Sequence, residues 1–225
     1  MSATRRDFLH SFGASAVAYA TLPLDALAHA VPPSGRVAPA SPFDLTWPAK
    51  LTAPHRAVFD VPAIDSGFGV WRASLWGSQY MEFLNVKPTE MNAVIVLRAE
   101  GIVLAMQQRY WDAYHVGKTK GVKHPLTEQP TDRSPVLLSS ARKEVPPEFD
   151  SVALDQFIKR GGIALACDVA FQEIVTTVEK AEKVKTDDAR KRAMAMLVPG
   201  VLLQPSGVFA AIRAQEAGAQ YLRSS

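Results

Sequence analysis

The chain has 225 residues, 48% hydrophobic and 21% charged, a formal charge of +3 and one cysteine. That length and composition suit one domain of ordinary size with a substantial core. A single cysteine excludes an intramolecular disulfide, and no basic run interleaved with aromatics argues for nucleic acid as a partner.

Residues 1–30 read as an export leader rather than as part of the fold. Thr4-Arg5-Arg6-Asp7-Phe8-Leu9 matches the twin-arginine signal, and a mildly apolar run follows from Phe12 to Leu24. Ala28-His29-Ala30 has the small-x-small form of a cleavage site, which places the cut near Ala30. The apolar run is too short, and too rich in Ala, Ser and Gly, to span a bilayer, so no stable membrane anchor is expected. Export by this route predicts a prefolded periplasmic protein. The leader removes two arginines and two aspartates, so the mature charge stays at +3. Residues 31–53, with VPPSGRVAPASP, read as a Pro- and Ser-rich linker, and the folded domain is predicted over 54–225.

His55 to Val61 is a short apolar run closed by Pro62 and predicts a first strand. Over Gly67 to Leu84, Phe68, Trp71, Leu75, Trp76, Tyr80 and Phe83 recur at spacings of mostly three or four, predicting a helix that buries this face. Asn92 to Arg98 (NAVIVLR) is nearly continuously apolar in its middle, as in parallel strands buried on both faces. Residues 102–116 predict another helix with an aromatic cluster at Tyr110, Trp111 and Tyr114. Residues 117–150 carry five prolines and little periodicity, a long excursion of the functional or mobile kind.

Helix is predicted again from Ser151, as N-cap, to Arg160, stopped by Gly161-Gly162. Ile163 to Ala166 predicts a third strand. Val169 to about Lys183 is amphipathic, and Asp187 to Leu197 predicts a charged helix. Val201 to Gln204 predicts a fourth strand, and Ser206 caps a helix running to about Leu222. Strands alternating with helices imply a mainly parallel sheet of four or five strands in a three-layer α/β/α sandwich.

In open parallel sheets, ligands bind beyond the carboxyl ends of the strands. The residues there are Asp60, Arg98, Cys167 and Ser206, which form the candidate rim. Cys167 lies between a strand and a helix whose N-cap is predicted to be Asp168. A helix N-terminus and a nearby Arg98 favour an anionic sulfur, whereas Asp168 opposes it. The bland alternative is a small buried cysteine. Ser206 reads as a cap rather than a nucleophile, since G-x-S-x-G is absent. Asp65-Ser66-Gly67-Phe68-Gly69 lacks the third glycine of a dinucleotide fingerprint, so Gly67 and Gly69 read as close-packing positions. The histidines show no metal-ligand spacing, so neither metal nor cofactor is predicted.

The ending Val201-Leu202-Leu203-Gln204-Pro205-Ser206-Gly207-Val208, followed by Ile212-Arg213-Ala214-Gln215-Glu216-Ala217-Gly218 and Tyr221-Leu222, resembles the DsrE/DsrF-like family of sulfur-relay proteins. The strand Val94 to Arg98 and the position of Cys167 extend the resemblance over roughly residues 54–223. It implies a homo-oligomer in which Cys167 carries sulfane sulfur as a persulfide between a donor and an acceptor protein. The chain departs from the relay proteins in its export leader and in the excursion at 117–150. Two readings therefore stand: a persulfide carrier using Cys167, with Arg98, Asp60 and Ser206 around the bound group, or a non-catalytic periplasmic oligomeric binding or assembly module with a structural cysteine.

Overall fold

The computed structural model describes residues 41–224. The leader predicted at 1–30 and its cleavage site lie outside the described residues. Five strands form one sheet: β1 (His55–Val61), β2 (Met91–Leu97), β3 (Ile163–Cys167), β4 (Leu202–Gln204) and β5 (Gln220–Arg223). Their order is β4-β3-β2-β1-β5, and every neighbouring pair is parallel. The helices are α1 (Phe68–Leu84), α2 (Gln108–Tyr114), α3 (Val116–Lys120), α4 (Leu154–Lys159), α5 (Asp168–Glu182), α6 (Thr186–Ala195) and α7 (Gly207–Glu216).

The strand order dictates the layers. From β1 to β4 the chain steps across the sheet in one direction, and right-handed crossovers put each connection on the same face. From β4 it jumps back past β1 to β5, so α7 must lie on the opposite face. The core divides accordingly. Phe59, Ile95, Leu97, Ala164 and Ala166 point into the larger cluster, with Phe171, Ile174 and Val178 of α5. Val58, Val94, Val96 and Leu165 point into the smaller cluster, with Ala210 and Ala214 of α7. Both faces of the central strands are therefore apolar, which explains their unbroken hydrophobic runs. The result is the α/β/α sandwich expected, with five strands.

Four expectations need correction. The last helix stops at Glu216 instead of about Leu222. Gly218 turns at φ +84°, and residues 220–223 return as the edge strand β5. Helix α4 begins at Leu154, capped by the backbone of Ala153, while the Ser151 hydroxyl donates to the Glu148 carbonyl in a preceding 3-10 turn. Residues 99–105 form a 3-10 segment, buried from Gly101 to Ala105, so helix α2 starts only at Gln108. The aromatic stripe on α1 is only partly its buried face: Trp71 and Trp76 pack half-buried against the core, but the fully buried positions are others. Val70 and Ala73 go under, Gly69 packs with them, and Leu75 and Phe83 stay 54% and 71% exposed. Small residues win because α1 lies close to the sheet: a Cβ on Gly69 would come within 2.6 Å of Val61 Cγ1.

The compact unit extends from Pro42. A 3-10 turn at Trp47–Lys50 buries Trp47 completely on the α7 face, beside Val58 and Leu165. Full burial of a large apolar side chain contributes roughly 1.5–3 kcal/mol, enough to hold this segment down. The excursion at 117–150 also packs on the body. Val136 is fully buried, its carbonyl accepts from Leu154 N–H, and Arg133 pairs with Glu144 at 2.5 Å.

Candidate functional site: the carboxyl rim of the sheet

The four rim residues predicted from sequence arrive through strand alternation. Asp60 follows Val58 in pointing to the α7 face, and Arg98 and Cys167 continue the parity of Val96 and Leu165. Leu97 pairs with Ala166 and Cys167 pairs with Gln204, so Arg98, Cys167 and Gln204 form one row at the carboxyl ends of three adjacent strands. Asp60, paired with Val96, lies two register positions below, on the same face. Ser206 and Gly207 start α7 directly above.

Asp60 is the centre of this rim. Its side chain is 2% exposed, which for a carboxylate requires partners. Arg98 supplies two, with Nε donating to Oδ1 and Nη2 to Oδ2, both at 2.7 Å. This is the bidentate fork that matches guanidinium to carboxylate. The Tyr221 hydroxyl donates to Oδ2 at 2.6 Å. The Asp60 hydrogen bond raises the Arg98 pKa further, and it raises that of Tyr221 because ionising the phenol would remove the donor. The Arg98 stem lies against the start of α7, where a Cβ on Gly207 would meet its Cβ and Cδ at 2.7 Å.

Cys167 is 6% exposed and is itself the N-cap of α5, its Sγ accepting from Ala170 N–H at 3.4 Å. This corrects the N-cap expected at Asp168. Asp168 occupies the first helical position and pairs with Arg190 at 2.5 Å. Its charge is thereby offset by a guanidinium that also lies 5.7 Å over the Phe171 ring. Ser206 caps α7 as read from sequence, accepting from Phe209 N–H at 3.0 Å. Gln204, fully buried in the row with Cys167, accepts from Trp47 Nε1 and donates to the Asp44 carbonyl, both at 2.9 Å.

Arg98 and Asp60 therefore meet each other, Cys167 joins them only through its row, and Ser206 serves its own helix. Sequence reasoning missed Tyr221, Gln204 and Trp47. Tyr221 was hidden by the helix extended through it, although Gly218 followed by Tyr-Leu signals a stop and a return strand. A second opening, of about 480 Å³, lies beside the ends of β1 and β2. It is bordered by Asp65 and Ser66, both at positive φ. Two of its four charged lining residues are matched, Lys120 by Glu173 at 2.7 Å and Asp65 by Arg72 at 3.4 Å, while Glu100 and Lys123 form no ion pair among the described residues. Among the described residues no group of three or more His, Cys, Asp or Glu could hold a metal, and no helix is long and apolar enough to cross a membrane.

No protein-family model matches the chain, and no curated protein matches it significantly. What can be said of its activity therefore rests on the residues themselves.

Proposed function

We propose that this protein is a non-catalytic, self-assembling binding module of the periplasm, in which Cys167 is structural. The observation that carries this reading is the use of the thiol: it is buried, and it caps α5. Arg98, the cation nearest in register, is engaged through Nε and Nη2 by Asp60. The assembly half rests on exposed apolar surface around the edge strand. Val208 and Ile212, one turn apart on α7, are 68% and 50% exposed, and on the edge strand β5 Tyr221 and Leu222, which point to opposite faces of the sheet, are 44% and 48% exposed. An edge strand left open in this way is a ready template for a second chain.

Thiol labelling of the native protein at neutral pH tests the first half. Cys167 should react at least about a hundredfold more slowly than in urea, since labelling requires local opening; equal rates would overturn it. Sedimentation velocity tests the second half: an oligomer that Ile212→Glu dissociates is expected, and a monomeric wild type would refute it. For export, the paired arginines carry the proposal. Expression with the native leader should deliver the product to the periplasm, and Arg5→Lys with Arg6→Lys should retain it in the cytoplasm; unchanged delivery would remove the twin-arginine assignment.

One observation favours a second reading. The Sγ receives a backbone N–H at the start of a 15-residue helix, on the rim and in the row of Arg98. That is where an anionic sulfur is best accommodated, and it is the position that the DsrE/DsrF-like resemblance assigns to a persulfide carrier. Incubation with a persulfide donor should then add one sulfur, about +32 Da, to wild type and not to Cys167→Ser. No adduct, or the same adduct on both, removes this reading.

A further inference from the structure

At the opposite end of the sheet, a half-open cavity of about 330 Å³ lies between α1, the start of β2 and the Gly161-Gly162 turn that follows α4. Its walls are largely apolar and aromatic, with Trp76, Met81, Met91 and Phe157 among them. Trp76 is held in place by Phe59 and Tyr80, with ring centroids 6.0 and 4.9 Å away. The volume falls within the range of small-molecule sites, roughly 300–1,000 Å³, which combine apolar walls with a few placed polar groups.

Two features indicate that this space is kept open. Gly77 lines it from the middle of α1, where glycine is the worst ordinary helix former. No close neighbour demands glycine there, because a Cβ at position 77 would meet nothing within 4 Å. In the same wall, the buried Ser74 hydroxyl has no protein hydrogen-bond partner. The charge is equally one-sided. Arg160 is the one charged residue lining the cavity. Its Nη2 donates to the Ser151 carbonyl. Among the described residues no carboxylate forms an ion pair with it, whereas Arg72, Arg98, Arg133, Arg190, Arg192 and Arg213 each have one.

We propose that this cavity is a binding site for a small aromatic carboxylate, with the ring between Trp76 and Phe157 and the carboxylate on Arg160. The pairing follows from the lining: flat apolar walls favour an aromatic body, and a guanidinium with free N–H groups recognises a planar anion. The site is separate from Cys167, which lies at the other end of β3. It gives the binding-module reading a ligand class. If it fails, thiol burial and self-assembly remain to be judged by their own measurements.

The test is isothermal titration of the purified protein with 2-naphthoate and with its neutral isostere 2-naphthamide. Naphthoate should saturate one site per chain, and naphthamide should bind at least about tenfold more weakly, the equivalent of one charge-assisted interaction. Arg160→Gln, an exposed substitution, should erase the difference between the two ligands. Gly77→Leu should abolish binding of both, with Gly77→Ala as the folded control on the same helix. No saturable binding by wild type overturns the proposal, as does naphthoate binding that Gly77→Leu and Arg160→Gln both leave unchanged. Binding lost only in proportion to oligomer formation would show that a second copy, rather than a carboxylate, occupies the cavity, and would likewise overturn it.

Discussion

The two ends of the sheet are built on opposite principles. At the carboxyl end the polar side chains face one another. Asp60 takes both forks of Arg98 and the Tyr221 hydroxyl, Gln204 joins Trp47 to Asp44, and Ser206 and Cys167 each cap a helix. At the amino end there is less polarity but more of it is free, with Arg160 beside an open apolar cavity and Ser74 unpartnered. Strand-end position in a parallel sheet is a sound guide to where a ligand can be placed. Whether a ligand is bound there depends on which donors and acceptors the fold has left unengaged.

The sharpest way to break this comparison is to open the carboxyl end. Asp60→Asn keeps the side chain's shape but replaces an acceptor oxygen with an NH₂ group facing the Arg98 donors. Removing one partner of a buried ion pair costs about 3–5 kcal/mol. Arg98 is 32% exposed and can turn partly to water, so about 3 kcal/mol is expected in urea unfolding. A loss below about 1 kcal/mol would mean that the rim rearranges freely and is not the closed structure described.

Much of this fold is legible in the chain. The runs from His55 to Val61, Asn92 to Arg98 and Ile163 to Ala166 announce parallel strands because both of their faces are covered. Gly161-Gly162 stops a helix visibly. The rim residues were also legible as strand-end residues. Two things were not. Pairing is a matter of register and strand order, so Asp60 and Arg98, 38 positions apart, could not be joined from spacing alone. The buried face of α1 was only half read, because hydrophobic periodicity reports which residues are large: Trp71 and Trp76 do pack on the core, but a helix lying close to a sheet buries its smaller residues most completely, here Gly69, Val70 and Ala73. That misreading also concealed the amino-end cavity, whose α1 wall consists partly of Ala73, Ser74 and Gly77.

Two glycine substitutions set the ends against each other directly. Gly207→Ala places a methyl 2.7 Å from the Arg98 stem, which Asp60 pins from the far side. Overpacking of this kind costs roughly 1–3 kcal/mol. Gly77→Ala meets nothing and removes a helix penalty of about 0.8–1.0 kcal/mol, so it should stabilise by up to that amount. Opposite signs in urea unfolding support a tight carboxyl end and an open amino end. If both variants destabilise, the space beside Gly77 is not open in solution.

The smallest effect isolates one hydrogen bond of the rim. Neutral Tyr221 donates to Asp60, which raises its pKa above the ordinary value of 10.0. The stabilisation is fully present below pH 10, where the phenol is protonated in both folded and unfolded chains. As pH rises past that value the unfolded chain releases its proton first, so stability falls until the folded phenol also ionises. Tyr110, pushed up to about 12 chiefly by burial, adds a loss of the same sign, so the rim's share must be read as a difference. Tyr221→Phe should flatten part of the decline in unfolding midpoint between pH 9 and 11. In absorbance at 295 nm, it should remove one late-ionising tyrosine from the native titration. Asp60→Asn should instead keep that tyrosine but bring its ionisation earlier. If Asp60→Asn leaves the titration unchanged, burial rather than Asp60 holds the phenol neutral, and Tyr221 would no longer belong to the closed network at the carboxyl end.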